Sequence, residues 1–229
     1  MAAARAAAGV ALLAGLCAAT AASAAETYSY TVHHPSFGDI GTYTERVDRR
    51  GGETRIDTTV HVVVRALGVV LHREDAERTE LWRDERLVGF QGVTMVNGKP
   101  LEVRGEATAD GFAVSSPDGT AVGPADLIPA DPWQLGHVAG SVNLPIGGTL
   151  MSTRGGELYP FQVTGGEPMQ LAVQGVEVPV RHYTVSSRKH QEVWVAHGVP
   201  VAFRSVESGT PIDFTLSREG IAATVASSD

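Results

Sequence analysis

Imidazole is the one side chain whose unperturbed titration falls near neutral pH, and this chain carries eight histidines. His33 and His34 are adjacent, with Asp39 shortly after. Successive strand residues face opposite sides, so the pair reaches one metal only if the loop at Pro35 turns them together. His61 and His72 flank Leu67-Gly68, and a hairpin there brings them near each other. His61 shares its face with Arg55, Asp57 and Arg65, the usual composition of a solvated surface. His182 alternates with Val178 and Val180 and so points at an apolar face, as a hydrogen-bonded core histidine or a cavity wall.

No recognisable motif organises these residues. There is no glycine-rich phosphate loop, no His-Glu-x-x-His run and no Gly-x-Ser-x-Gly elbow. The single cysteine, Cys17, lies in the N-terminal leader, so thiol catalysis and thiolate metal sites are excluded downstream. No metal or cofactor is expected. The run Arg73–Glu80 mixes charges of both signs and reads as a protected strand edge or a solvated turn. The aromatic residues are more suggestive. Trp133, Trp194, Tyr183 and Phe161 fall in the second half and, with His182, are the candidate ligand-binding residues. Phe203 and Phe214 sit in inward strand phase and read as core.

The elements that position these residues read as strands. Leu101–Glu106 alternates strictly, as does Ile212–Leu216. In Arg55–Arg65, Ile56, Thr58, Val60, Val62 and Val64 share one face. Turn signals at Gly51-Gly52, Asp84-Glu85, Asn97-Gly98, Asp110-Gly111, Pro117-Asp118-Gly119 and Ser208-Gly209 separate the runs. About a dozen strands joined this way make an antiparallel meander, and a sheet of that size curls because twist accumulates. The fold class is therefore all-β: a long curled meander, half-barrel or open barrel. Residues 116–157 interrupt the rhythm with five prolines and several glycines. This insertion offers at most one short helix, with Asp131 as N-cap, Pro132 at the first position and Trp133 as anchor. A plug, a lid and an unstructured loop are its three readings.

Residues 1–24 read as a secretory signal peptide: Arg5, then an uncharged apolar run, then Ala22-Ser23-Ala24 at the cleavage point. Leu16 before Cys17 argues against a lipoprotein. The rest, residues 25–229, reads as a single β-rich domain without a stable membrane span, exported to the periplasm. The net charge of −8 argues against a nucleic-acid partner.

Several short motifs carry a resemblance. They are Val180-Arg181-His182-Tyr183-Thr184-Val185, Glu192-Val193-Trp194-Val195 and Gly198-Val199-Pro200-Val201, with Gly38-Asp39-Ile40-Gly41, Glu80-Leu81-Trp82-Arg83 and Leu87-Val88-Gly89-Phe90 in the N-terminal half. On these the chain resembles a secreted bacterial family defined as a domain of unknown function, the one numbered 6134. It is also similar to the curved half-barrels of periplasmic lipoprotein carriers, in which a helix fills the concave side. The resemblance implies a fold and no activity.

Three functions follow in order of support. The first is binding or carrying an apolar or amphipathic small ligand on the concave face of the sheet. The second is a non-enzymatic envelope module that holds a protein partner. The third is a hydrolase or metal-binding protein built on His33, His34, Asp39, His61 or His182.

Overall fold

The structure is a computed structural model, and the described residues are 25–141 and 146–226. The segment read as a leader lies outside them. The first half of the chain forms β1 (Glu26–His34), β2 (Gly38–Arg50), β3 (Glu53–Ala66), β4 (Val69–Arg83), β5 (Arg86–Val96), β6 (Lys99–Thr108), β7 (Gly111–Ser116) and β8 (Gly119–Gly123). Then come β9 (Ile128–Pro129), α1 (Pro132–Ser141), β10 (Ile146–Met151), β11 (Leu158–Val173), β12 (Val176–Ser186), β13 (His190–Ala196), β14 (Val199–Glu207), β15 (Thr210–Leu216) and α2 (Arg218–Ala226).

All fifteen strands belong to one sheet, ordered β8 back to β1, then β15 back to β9. The first and last strands meet at its centre, where β1 pairs with β15 antiparallel, Tyr30 opposite Leu216. Every pairing is antiparallel except β9 with β10. The sheet does not close by hydrogen bonds, but it curls until its halves face each other. Arg154, after β10, reaches Glu74 on β4 at 3.4 Å. The curled antiparallel meander is therefore present.

Seven hairpins turn on two residues of positive φ, between 49° and 84°: Gly51-Gly52, Leu67-Gly68, Asp84-Glu85, Asn97-Gly98, Gln174-Gly175, His197-Gly198 and Ser208-Gly209. This mirror-image turn matches strand twist and favours Gly, Asn and Asp.

The run Arg73–Glu80 is neither an edge nor a turn. It lies inside β4, between β3 and β5. Its odd residues pair on the outer face, where Arg73 and His61 both hold Asp75. Its even residues, Glu74, Arg78 and Glu80, point inward.

The insertion at 116–157 is more regular than its prolines suggest. It contains β8, β9 and β10 besides the helix. α1 starts as its cap predicts: the Trp133 amide donates to Asp131 Oδ1 at 3.0 Å. The helix lies inside the curl against β12, β13 and β14. Trp133 and Leu135 are buried, and the Trp133 ring meets Tyr28 at 4.4 Å. Gly136 makes this packing possible, since a Cβ there would lie 2.3 Å from Pro200 Cγ. The sequence shows no apolar stripe for α2, which Ser217 caps through the Gly220 amide at 3.3 Å. Ile221 is buried, and α2 packs against β1.

Candidate functional site

The interior has two parts, a polar knot beneath and a cavity above. The knot begins on β2 and β4. Glu45 shares strand phase with Tyr43 and Val47, and Glu80 with Ala76, Arg78 and Trp82. Both carboxyl groups are therefore carried inward, and both residues are 1% exposed. Asp131, also 1% exposed, enters from the helix cap. The Tyr43 hydroxyl meets Glu45 Oε1 and Asp131 Oδ1. A phenol has one proton. One of the two contacts must therefore run from a protonated carboxyl to the phenol oxygen. Thr58 donates to Glu45 at 2.9 Å. Glu80 accepts from Gln134 Nε2 at 2.8 Å and from Trp82 Nε1 at 2.9 Å.

The electrostatics agree with that proton count. Burial pushes Glu45 well above the usual carboxylate range, and the charge of Asp131 adds to it. Burial likewise raises Glu80 to about 8. Burial raises Asp131 too, opposed by Arg78, whose Nη1 is 3.5 Å from Asp131 Oδ2. Three carboxyl groups and one guanidinium out of water are stable only if protons neutralise the excess. The knot fastens α1 to the opposite wall of the sheet through Asp131 and Gln134.

Above the knot lies a cavity of about 750 Å³. Tyr43, Arg78 and Pro132 form its floor. Val32, Ile40, Val60, Val62, Ile212 and Phe214 supply apolar walls from β1, β2, β3 and β15. Its mouth is charged. Arg154 pairs with Glu74, and Lys189 with Glu207. Arg188 lies over the Tyr159 ring at 5.2 Å, with no carboxylate within 4.0 Å among the described residues. The chemistry on offer is an aliphatic sleeve beneath a ring of fixed charges, which suits an amphipathic molecule.

The residues expected to bind ligand do not line this cavity. Trp133 and Phe161 are core. Tyr183 is core as well and borders a separate, more open hollow of about 660 Å³ beside Val180 and Val195. Trp194 and His182 do not lie on the concave face. They stack at 4.9 Å on the outer face, and Arg204 lies over Trp194 at 5.9 Å. The inward phase of β12 changes from Val178 and Val180 to Tyr183 and Val185, opposite the bulge between Gly165 and Glu167. Extrapolating the phase from Val180 thus puts His182 on the wrong side. Phe203 is core, but Phe214 is a cavity wall.

The histidine pairs separate. His33 bonds Asp39 at 2.9 Å, while His34 packs on Phe37 and faces the cavity mouth. His61 bonds Asp75 at 2.5 Å on the outer face, and His72 faces inward, 3.7 Å from Glu74. Among the described residues, no three His, Cys, Asp or Glu side chains form a metal-ligand set. The knot escaped sequence reading because glutamate in a strand usually marks the wet face. Its available signal was phase: Glu45 falls between Tyr43 and Val47, and Glu80 is followed by Trp82 in the Glu80-Leu81-Trp82-Arg83 motif.

No curated protein matches the chain. Among solved structures, it is similar to a beta-barrel-like protein of the domain of unknown function DUF1849 from Brucella abortus. The TM-score is 0.63 at 8% identity, over 84% of this chain and 95% of that one. That likeness establishes a shared fold. A family model, the domain of unknown function DUF6134, matches residues 30–217, and the chain belongs to this family.

Proposed function

We propose that the protein is exported to the periplasm and there binds or carries an amphipathic small molecule. The observation that carries this reading is the cavity of about 750 Å³, apolar along its walls and charged at its mouth. Cavities of a few hundred Å³ with that distribution enclose most of a ligand's surface. The walls accept an aliphatic body. Arg188, which lies over Tyr159 with no salt bridge among the described residues, is the group best placed to receive an anionic head at the mouth. The leader-like residues at the N-terminus support export.

Native mass spectrometry of protein purified without detergent tests the reading, together with uptake of a fluorescent fatty acid. An added mass of a few hundred daltons, or saturable one-to-one uptake, is expected. A bare protein mass with no saturable uptake overturns it.

A second reading, an envelope module that takes a partner strand, is favoured by the free edge at β8. Gly119–Val122 is exposed there, with Val122 62% open. A partner captured by the wild type and lost with Val122→Lys would carry that reading.

A further inference from the structure

The hairpin of β3 and β4 extends past its neighbours. Pairing with β2 ends at Val62, and pairing with β5 starts at Glu74. Arg73 is still held by Asn97 of the next turn, so residues 63–72 have no strand pairing beyond their own hairpin. Val64 still packs against the core, so at about 3.3 Å per residue the three residues from there to the turn project roughly 10 Å.

The tip of this projection is aliphatic. Leu67 is fully exposed, and Val69, Val70 and Leu71 are 61%, 48% and 55% exposed. Of the seven mirror-image turns, six begin with Gly, Asp, Asn, Gln, His or Ser, and this one begins with leucine. A left-handed φ of 50° is costly for leucine, and its side chain meets only solvent. Neither backbone geometry nor packing explains the choice.

We propose that this tip inserts into a lipid surface. Three consecutive exposed aliphatic residues occupy both faces of the hairpin. A protein groove would cover one face, whereas an acyl-chain medium surrounds both. The tip is also too small for a standard protein interface, which buries about 800 Å² per partner. A projection of this length matches the roughly 5–10 Å to which interfacial segments sink. Arg65 is exposed just behind the tip, without an ion-pair partner among the described residues, at the level where lipid phosphates lie. Val62, Val64 and His72, at the foot of the same hairpin, line the cavity mouth. An inserted tip thus turns the mouth toward the lipid. Passage of a ligand inward rests on the cavity reading, but docking does not.

The test is flotation of the full-chain product, purified from an exporting host, with vesicles of phosphatidylethanolamine and phosphatidylglycerol. Wild type is compared with Leu67→Asn, which installs the residue of the Asn97-Gly98 turn, and with Leu67→Asn combined with Val70→Thr. Circular dichroism and uptake of the fluorescent fatty acid are measured on the same samples. The expected result is vesicle binding weakened at least tenfold in the double variant, with fold and uptake unchanged. Equal vesicle binding by all three proteins, or none by wild type, overturns the proposal whatever the uptake shows. A concentration-dependent dimer of wild type that the variants lose assigns the tip to a second copy and also overturns it. Loss of uptake alone, with tip-dependent vesicle binding intact, counts against the cavity reading and leaves docking standing.

Discussion

Gln134 on the interior helix donates a 2.8 Å hydrogen bond to Glu80 on the opposite wall of the curled sheet. The helix is therefore held on two sides, by apolar packing on β12–β14 and by polar contacts to β2 and β4. Each attachment makes a different prediction.

The polar attachment depends on protons. Glu80 is raised to about 8 in the folded protein, from an ordinary value near 4.5. Between those values the native state holds a proton that the unfolded chain has lost. Stability is therefore full below about pH 4.5 and declines as pH rises toward 8. Glu45 is shifted in the same direction, by burial and by Asp131. Asp57 and Glu157 are lowered, so their contributions change at more acid pH and do not offset the decline. Thermal melts should show Tm falling from pH 5 to pH 8. The slope is on the order of 1 kcal/mol per pH unit for one such group. Glu80→Gln keeps an acceptor for Trp82 and Gln134 and should flatten the slope. A Tm that rises over that interval would refute the assignment.

Tyr43→Phe removes the hydroxyl between Glu45 and Asp131. Two buried carboxyl groups lose a shared partner, at a cost of about 1–3 kcal/mol. Chemical denaturation at pH 7 should register this as a lower midpoint with unchanged slope. Limited proteolysis should show earlier cutting in α1. A midpoint equal to wild type would mean that the carboxyl groups satisfy each other.

The apolar attachment depends on one missing side chain. Alanine favours a helix over glycine by about 1 kcal/mol, so Gly136→Ala in an isolated helix is stabilising. Here the new Cβ would fall 2.3 Å from Pro200 Cγ and 3.1 Å from Val193 Cγ1. Overpacking of this kind costs about 1–3 kcal/mol and outweighs the propensity gain. The variant should melt below wild type.

The sequence exposed these elements unevenly. Strand phase in Arg55–Arg65 and Leu101–Glu106 was readable because most of their aliphatic residues fall on alternate positions. The turns at Asn97-Gly98 and Ser208-Gly209 were readable because their φ requirement selects residue types. The cap at Asp131 was readable for the same reason, but its second role, bonding Tyr43 across 88 positions of sequence, was not. The cavity was hidden because its walls are valine and isoleucine, which look identical whether they meet other side chains or empty space. The face of His182 was not readable because a change of strand phase leaves no mark in composition.

That last point separates two accounts of the aromatic residues. On the outer face, Trp194 stacks on His182 and lies under Arg204, which also holds Asp213 at 2.5 Å. Trp194→Ala should remove this stack at a cost of about 1–2 kcal/mol while leaving fatty-acid uptake unchanged. Val62→Trp should do the reverse. Val62 is half-buried on the cavity wall, where an indole fills space intended for ligand without displacing a fully packed neighbour. Uptake should fall at least tenfold with Tm nearly constant. If Trp194→Ala abolishes uptake and Val62→Trp does not, the ligand binds outside this cavity and the outer aromatic stack becomes the candidate site.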